Sequence, residues 1–411
     1  MDEARIAALR GDVARMAGAD PAEVLIARSP YRVCPLGAHV DHQLGEVTGM
    51  ALEEALLLGF VPAPGPAVHL RSRNLEGEVR GDLDRLPPRP VGDWGDYLRG
   101  AARALSRRGR LSRGLTGIVD GYAGVGGLSS SAAVGVACLL AIERANGALL
   151  SSDENIELDR QIENDYIGLN NGILDQSMIL LSRAGRLTSV DCLTGRSELH
   201  ACGSPARVSV VILYSGLERQ LAGTDYNRRV AECEEAARRL LQAGGLLQAG
   251  GRPRLRHVPR EVFEAHAGRL PREPALRARH FFTEQRRVHE GVRLWRAGDL
   301  EGFGRLVTES GRSSIENYEC GNDYLRSAWR VLCETPGVLG ARFSGAGFRG
   351  CCIGLSAGSV PEEVRRDVLT RYLALHPDME GRAAVRVCAS ADGAALLDGV
   401  EAGRGGGGTA C

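Results

Sequence analysis

Apolar residues recur three and four apart among the first twenty positions, at Ile6, Leu9, Val13 and Met16, with charged residues between them. That period predicts an amphipathic N-terminal helix over residues 1–20. From Val24 to His69 short apolar runs alternate with turns, the pattern of strands around a glycine-containing loop. After Pro87-Pro88-Arg89-Pro90, a surface connection, residues 93–107 return to the helical period. Ile118-Val119 leads a strand toward a glycine and serine turn. Ser151-x-x-Glu154 is a capping box and predicts a helix over 153–166. Residues 187–191 and 208–214 read as strands, and helical patterns follow over 226–241, 275–295 and 322–333. The polar Gly203-Ser204-Pro205 sets an expected division into domains 1–204 and 205–400, with a flexible glycine-rich tail over 401–411. Leu240-Leu241-Gln242-Ala243-Gly244-Gly245 repeats at once as residues 246–251, far too short for a solenoid unit and read as a duplication in a helix-end loop.

Composition narrows the chemistry. The 411 residues carry 51 acidic and 51 basic side chains, so there is no basic footprint for nucleic acid or for a membrane surface. The longest uncharged apolar run, 132–142, is too short to span a bilayer, and the first residues lack a signal-type core. Eleven cysteines are scattered without a Cys-x-x-Cys pair, which favours free thiols over disulfides or zinc. The expectation is a cytoplasmic protein with no nucleic-acid or membrane partner, monomeric or weakly dimeric. Every basic residue is arginine. Without lysine, neither a Walker A loop nor a protein kinase site can be built.

The turn Gly124-Val125-Gly126-Gly127-Leu128-Ser129-Ser130-Ser131-Ala132 opens a long helix-compatible run. Glycines followed by a helix N-terminus converge backbone N–H groups on an anion. Three further segments stand out: 29–42 (Ser29-Pro30-Tyr31-Arg32 through His39-Val40-Asp41-His42), 163–176 (Glu163 through Gly172-Ile173-Leu174-Asp175-Gln176) and 342–351 (Arg342 through Gly345-Ala346-Gly347). Gly345-x-Gly347-x-x-Gly350 formally fits a dinucleotide fingerprint, but it leads into a strand-like Cys351-Cys352-Ile353-Gly354-Leu355 rather than a helix, so a nicotinamide enzyme is rejected.

In this order the segments resemble the three signature motifs of the GHMP sugar and metabolite kinases, most of all the galactokinase branch. Residues 32–42 resemble its Gly-Arg-Val-Asn-Leu-Ile-Gly-Glu-His-Thr-Asp-Tyr string, and 172–176 its Gly-Ile-Met-Asp-Gln. The resemblance implies an α+β, two-domain GHMP kinase fold, with an N-terminal ribosomal-protein-S5-like domain and a C-terminal ferredoxin-like domain. One substitution points further, to the galacturonokinase subgroup. Where galactokinases carry a glutamate facing the sugar 6-hydroxyl, this chain has Ala38. A uronic acid places a carboxylate there, and two carboxylates at one position repel.

The resemblance also implies roles. Asp175 would be the general base toward the anomeric hydroxyl and Arg32 the electrostatic stabiliser. Gly126 to Ala132, with Ser129, Ser130 and Ser131 at the helix start, would hold ATP, helped by Gly345, Gly347 and Trp94; for Trp94 and Tyr97 core packing is an equal reading. Ser131 and Glu163 would bind Mg2+, a hard cation that keeps several waters and needs few protein oxygens. Ala38, His39, Asp41, Gly172 and Tyr226 would line the sugar. Arg219, Arg71 and Arg228 are candidates for pairing with the uronate carboxylate. Val125, Ala346 and Arg349 depart from the family's glycine-rich strings. The expected reaction is phosphorylation of D-galacturonic acid at C1. Galactose, arabinose and glucuronate remain as other substrates, and a catalytically silent sugar sensor as the reading from another class.

Overall fold

The computed structural model describes residues 3–121, 126–148, 150–217, 224–348 and 350–397. Helix α1 (Glu3–Ala17) buries Leu9 and Val13, whose spacing drew it from the sequence, against Ile26, Leu57 and Ile118. Strand β1 (Leu25–Val33) leads into the loop of residues 34–45 and returns as the long β2 (Glu46–Pro62), its antiparallel partner. A hairpin of β3 (Ala67–Ser72) and β4 (Glu78–Asp82) precedes α2 (Asp96–Ser106), and β5 (Leu115–Asp120) then inserts between β3 and β2. Helices α3 (Ser130–Asn146), α4 (Ser152–Gln161) and α5 (Leu174–Leu181) follow, and a hairpin of β6 (Arg186–Asp191) and β7 (Ser197–Ala201) pairs with the start of β2.

The second half begins with β8 (Val208–Tyr214) and α6 (Thr224–Ala243). Four helices come next: α7 (Arg260–His266), α8 (Arg272–Ala297), α9 (Leu300–Glu316) and α10 (Asp323–Cys333). The chain closes with β9 (Val338–Phe343), β10 (Cys351–Ala357), α11 (Glu362–Leu375), β11 (Ala384–Ala391) and β12 (Ala395–Leu397). The main sheet path runs β4-β3-β5-β2-β11-β8-β10-β9. Strand β11 joins the two halves: it pairs with β8 over Ala384 to Ala389 and with β2 at Ser390 and Ala391. Two large cores fill the molecule, one around α2, α3 and β2, the other around α6, α10 and β10.

The capping box at Ser151 and Glu154 is formed, but α4 does not run on as a plain α-helix; residues Ile162–Ile167 make a π-helical turn. Helix α9 was not anticipated, because Gly302, Gly304 and Gly311 lower its intrinsic propensity. Packing overrides them. A Cβ on Gly304 would stand 2.3 Å from the Leu339 carbonyl oxygen, so the glycine lets α9 lie directly on β9. The duplicated hexamer adopts two environments: Leu240 and Leu241 are buried in α6, whereas Leu246 and Leu247 are exposed beyond its end. Ten cysteines among the described residues are free. No helix among those residues is long and apolar enough to cross a membrane. The tail, Val125, Arg219 and Arg349 lie outside the described residues.

Candidate active site

The N-terminus of α3 is left open. Ser129 adopts the left-handed conformation (φ 60°, ψ 46°), and among the described residues no side chain caps the helix and the buried Ser129 hydroxyl has no hydrogen-bond partner. Ser130 and Ser131 are partly exposed on the first turn, while Leu128 and Ala132 anchor it in the core. The turn is held by glycines of the third motif. A Cβ on Gly350 (φ 96°) would meet the Gly126 oxygen at 2.2 Å, and one on Gly345 (φ 71°) would meet the Gly127 Cα at 2.9 Å. These contacts are backbone to backbone, so no side chain can yield. Gly350→Ala is expected to weaken ADP binding about tenfold or more in calorimetric titration, whereas Gly109→Ala, with open space around it, leaves binding unchanged. Gly347 packs on the Cys320 sulfur rather than on the serine turn. Trp94 is half-buried against the first core.

Beneath this turn, Arg32 of β1 meets Asp175 of α5. Arg32 Nε and Nη2 lie 2.8 and 2.7 Å from Asp175 Oδ1. Arg32 Nη1 also donates to the Gly127 carbonyl (3.4 Å) and to Ser344 Oγ (3.5 Å), and Ser344 in turn donates to the same carbonyl at 2.7 Å. The guanidinium is 3% exposed and the carboxylate 23%, so the acid faces the open side of the pair.

Glu163 stands on the π-helical turn, fully buried, and takes hydrogen bonds from Asn171 and Ser131. Burial, and then the nearby Asp175 charge, push its carboxyl up to about 7. A hydroxyl and a carboxylate side by side, with a second acid close, form an oxygen donor set deficient in positive charge. That set fits a hard divalent cation. Asn171 and Ser344 are site residues to which the motif reading gave no role; both sit inside the motif segments, but nothing in their spacing shows what they touch.

On the other side of Asp175 the loop of residues 37–42 curls under the site. Asp41 is 8% exposed, accepts a hydrogen bond from the Gly172 N–H (3.2 Å), and sits so close that a Cβ on Gly172 would stand 2.5 Å from the Asp41 carbonyl carbon. Its carboxyl is pushed up to about 6 by burial and by Asp175. His39, in left-handed backbone (φ 62°), stacks on Tyr318 with ring centroids 4.3 Å apart; burial holds it neutral, well below its usual value. Ala38 is buried, and its carbonyl faces His280 Nε2 at 3.0 Å. Tyr226 lies in the field of Asp41, Asp175 and Glu163, which with burial raises its hydroxyl pKa. Of the arginines considered for an anionic substrate, Arg71 is misplaced: it pairs with Glu78 in the β3–β4 hairpin and lines a surface cleft with Asp12 and Arg73. Arg228 pairs with Glu232 on α6.

An acceptor carboxylate at Asp41 is lost on protonation. The dissociation constant of a sugar ligand is therefore expected to rise about fivefold between pH 6 and pH 5 in calorimetry without nucleotide, and to stay flat in Asp41→Asn.

Comparison with known proteins identifies the family. Models of the GHMP kinases N terminal domain and of the GHMP kinases C terminal region match residues 96–183 and 291–374. The galacturonokinase of Arabidopsis thaliana is 43% identical over 420 residues, covering 96% of this chain and 99% of that protein. A galactokinase of Roseiflexus is 33% identical, covering 90% and 92%. The crystal structure of Lactococcus lactis galactokinase complexed with galactose superposes with a TM-score of 0.86 at 27% identity, over 96% of this chain and 100% of that one. A phosphate-ready helix N-terminus, a buried arginine–aspartate pair and relatives that align from end to end lead to one conclusion: the chain belongs to the GHMP kinases, among their two-domain sugar kinases.

Proposed function

We propose that the chain transfers the γ-phosphoryl group of ATP to the anomeric hydroxyl of D-galacturonate, giving galacturonate 1-phosphate and ADP. Asp175 takes the hydroxyl proton as the sugar oxygen bonds to the γ-phosphorus and the bond to the ADP oxygen breaks. Arg32, held by Asp175 on one side and the Gly127 carbonyl on the other, faces the charge that develops on the transferring group. The open turn at Ser129, Ser130 and Ser131 receives the phosphates. Ser131 and Glu163 would hold Mg2+, which when bound neutralises phosphate charge. Asp41, His39 and Tyr226 orient the sugar, and Gly172 lets the backbone approach it.

The observation that carries the choice of sugar is Ala38, in the loop that turns under Asp175, where its methyl side chain sets no charge against a uronate. The 43% identity to a galacturonokinase supports it. A phosphate on C1 removes the reducing end of the sugar. Phosphorus NMR together with a reducing-end assay of the product should therefore show a phosphomonoester and no reducing sugar; a product that still reduces would place the phosphate elsewhere and remove Asp175 from its role.

A further inference from the structure

Helix α3 packs antiparallel against α4 and the π-helical turn that continues it, through Asn155, Asp159 and Glu163, which are spaced four apart. Glu163 meets Ser131, Asp159 meets Gly135, and Asn155 reaches Glu143 (Nδ2 to Oε2, 3.4 Å). Asn155, Asp159 and Glu163 are each at most 1% exposed, so a polar row lies on a helix face where apolar side chains belong. Asp159 is the extreme member. It is fully buried, and neither carboxyl oxygen accepts a hydrogen bond from any described residue. The space it fills exists only because residue 135 is glycine: a Cβ there would stand 2.0 Å from Asp159 Oδ1. The carboxyl is thus pressed against the backbone of α3, one turn from Ser131.

Burying a carboxyl without a donor is costly, and the charges acting on this one, Glu163 and Asp175, are both acids. With burial they hold its pKa well above the usual carboxylate range. Within the described chain only protonation offsets that cost; a bound group that brings hydrogen-bond donors would offset it too and let the carboxylate form. A hard cation held by one hydroxyl and one carboxylate keeps most of its waters, and those waters need acceptors.

We propose that Asp159 is an outer ligand of the magnesium ion, its carboxylate accepting hydrogen bonds from water of the ion's hydration shell. The proposal rests on the reading of Ser131 and Glu163 as the direct ligands. Asp159 then acts as a positioning residue: it fixes the hydrated ion against the start of α3 and touches neither ATP nor sugar.

The test uses the full-length protein with ADP and no sugar, titrated with Mg2+ in a calorimeter, alongside thermal melting without metal. Asp159→Asn keeps the shape and removes the charge. The Mg2+ concentration for half-maximal ADP binding is expected to rise about tenfold or more, while the metal-free melting temperature stays near that of wild type, because a protonated carboxyl and an amide are both neutral and equally unpaired there. Asp159→Ser, smaller and neutral, should show the same Mg2+ shift and serves if the asparagine protein does not fold. A merely structural carboxyl would lower the melting temperature and leave the Mg2+ requirement as in wild type, and that result overturns the proposal. A wild-type protein whose ADP binding ignores Mg2+ removes the direct ligands as well, while the choice of sugar is judged separately by turnover.

Discussion

Asp175→Asn should lower kcat by about 10²- to 10⁴-fold while leaving Mg2+-dependent ADP binding in place. Asparagine keeps the shape of the side chain and one oxygen toward Arg32, but it cannot accept the proton of the attacking hydroxyl. The substitution also leaves Arg32, 3% exposed, without its counter-charge. Removing one partner of such a pair costs up to about 3–5 kcal/mol of stability. Melting curves therefore belong with the kinetics. A folded, ADP-binding variant that turns over at the wild-type rate would show that Asp175 orients rather than deprotonates.

Ala38→Glu should reverse the choice of sugar. Two carboxylates about 4 Å apart at an effective dielectric of about 20 repel by about 4 kcal/mol, or about a thousandfold in kcat/KM. Galacturonate turnover is expected to fall by about that factor, and turnover of a neutral hexose to rise, because the new carboxylate can accept its 6-hydroxyl. The paired measurement of both sugars separates this outcome from simple damage to the loop, which would lower both. Ala38 lies in an apolar cluster with Val40, Leu174 and Met178, so the glutamate needs the substrate's hydroxyl to offset its burial.

The motif-bearing residues were legible in the sequence because each is a chemical type at a fixed place in a short string. Arg32 meets Asp175, Ser131 meets Glu163, and Gly172 meets Asp41. Helices α1, α2, α6, α8 and α10 and strands β6 and β8 were legible from period alone. What escaped was set by packing between distant segments. Gly304 and Gly340, poor formers of helix and strand by residue type, permit α9 and β9 to touch. Asp159 drew no reading from the sequence, because only Gly135, on another helix, shows that its face is buried. The buried ion pair of Glu284 with Arg287, which supports the Gly37 N–H through a 2.8 Å hydrogen bond, likewise joins segments almost 250 positions apart. Arg71 was considered for the substrate on residue type alone, and its strand carries it to the β3–β4 hairpin.

The most direct test of the account is ATP-dependent ADP release with Mg2+ against galacturonate, glucuronate, galactose and arabinose. The account predicts a kcat/KM for galacturonate that exceeds every other sugar by about a hundredfold or more. Equal or better turnover of galactose would contradict it, keeping the kinase site but removing Ala38 as the reader of the substrate.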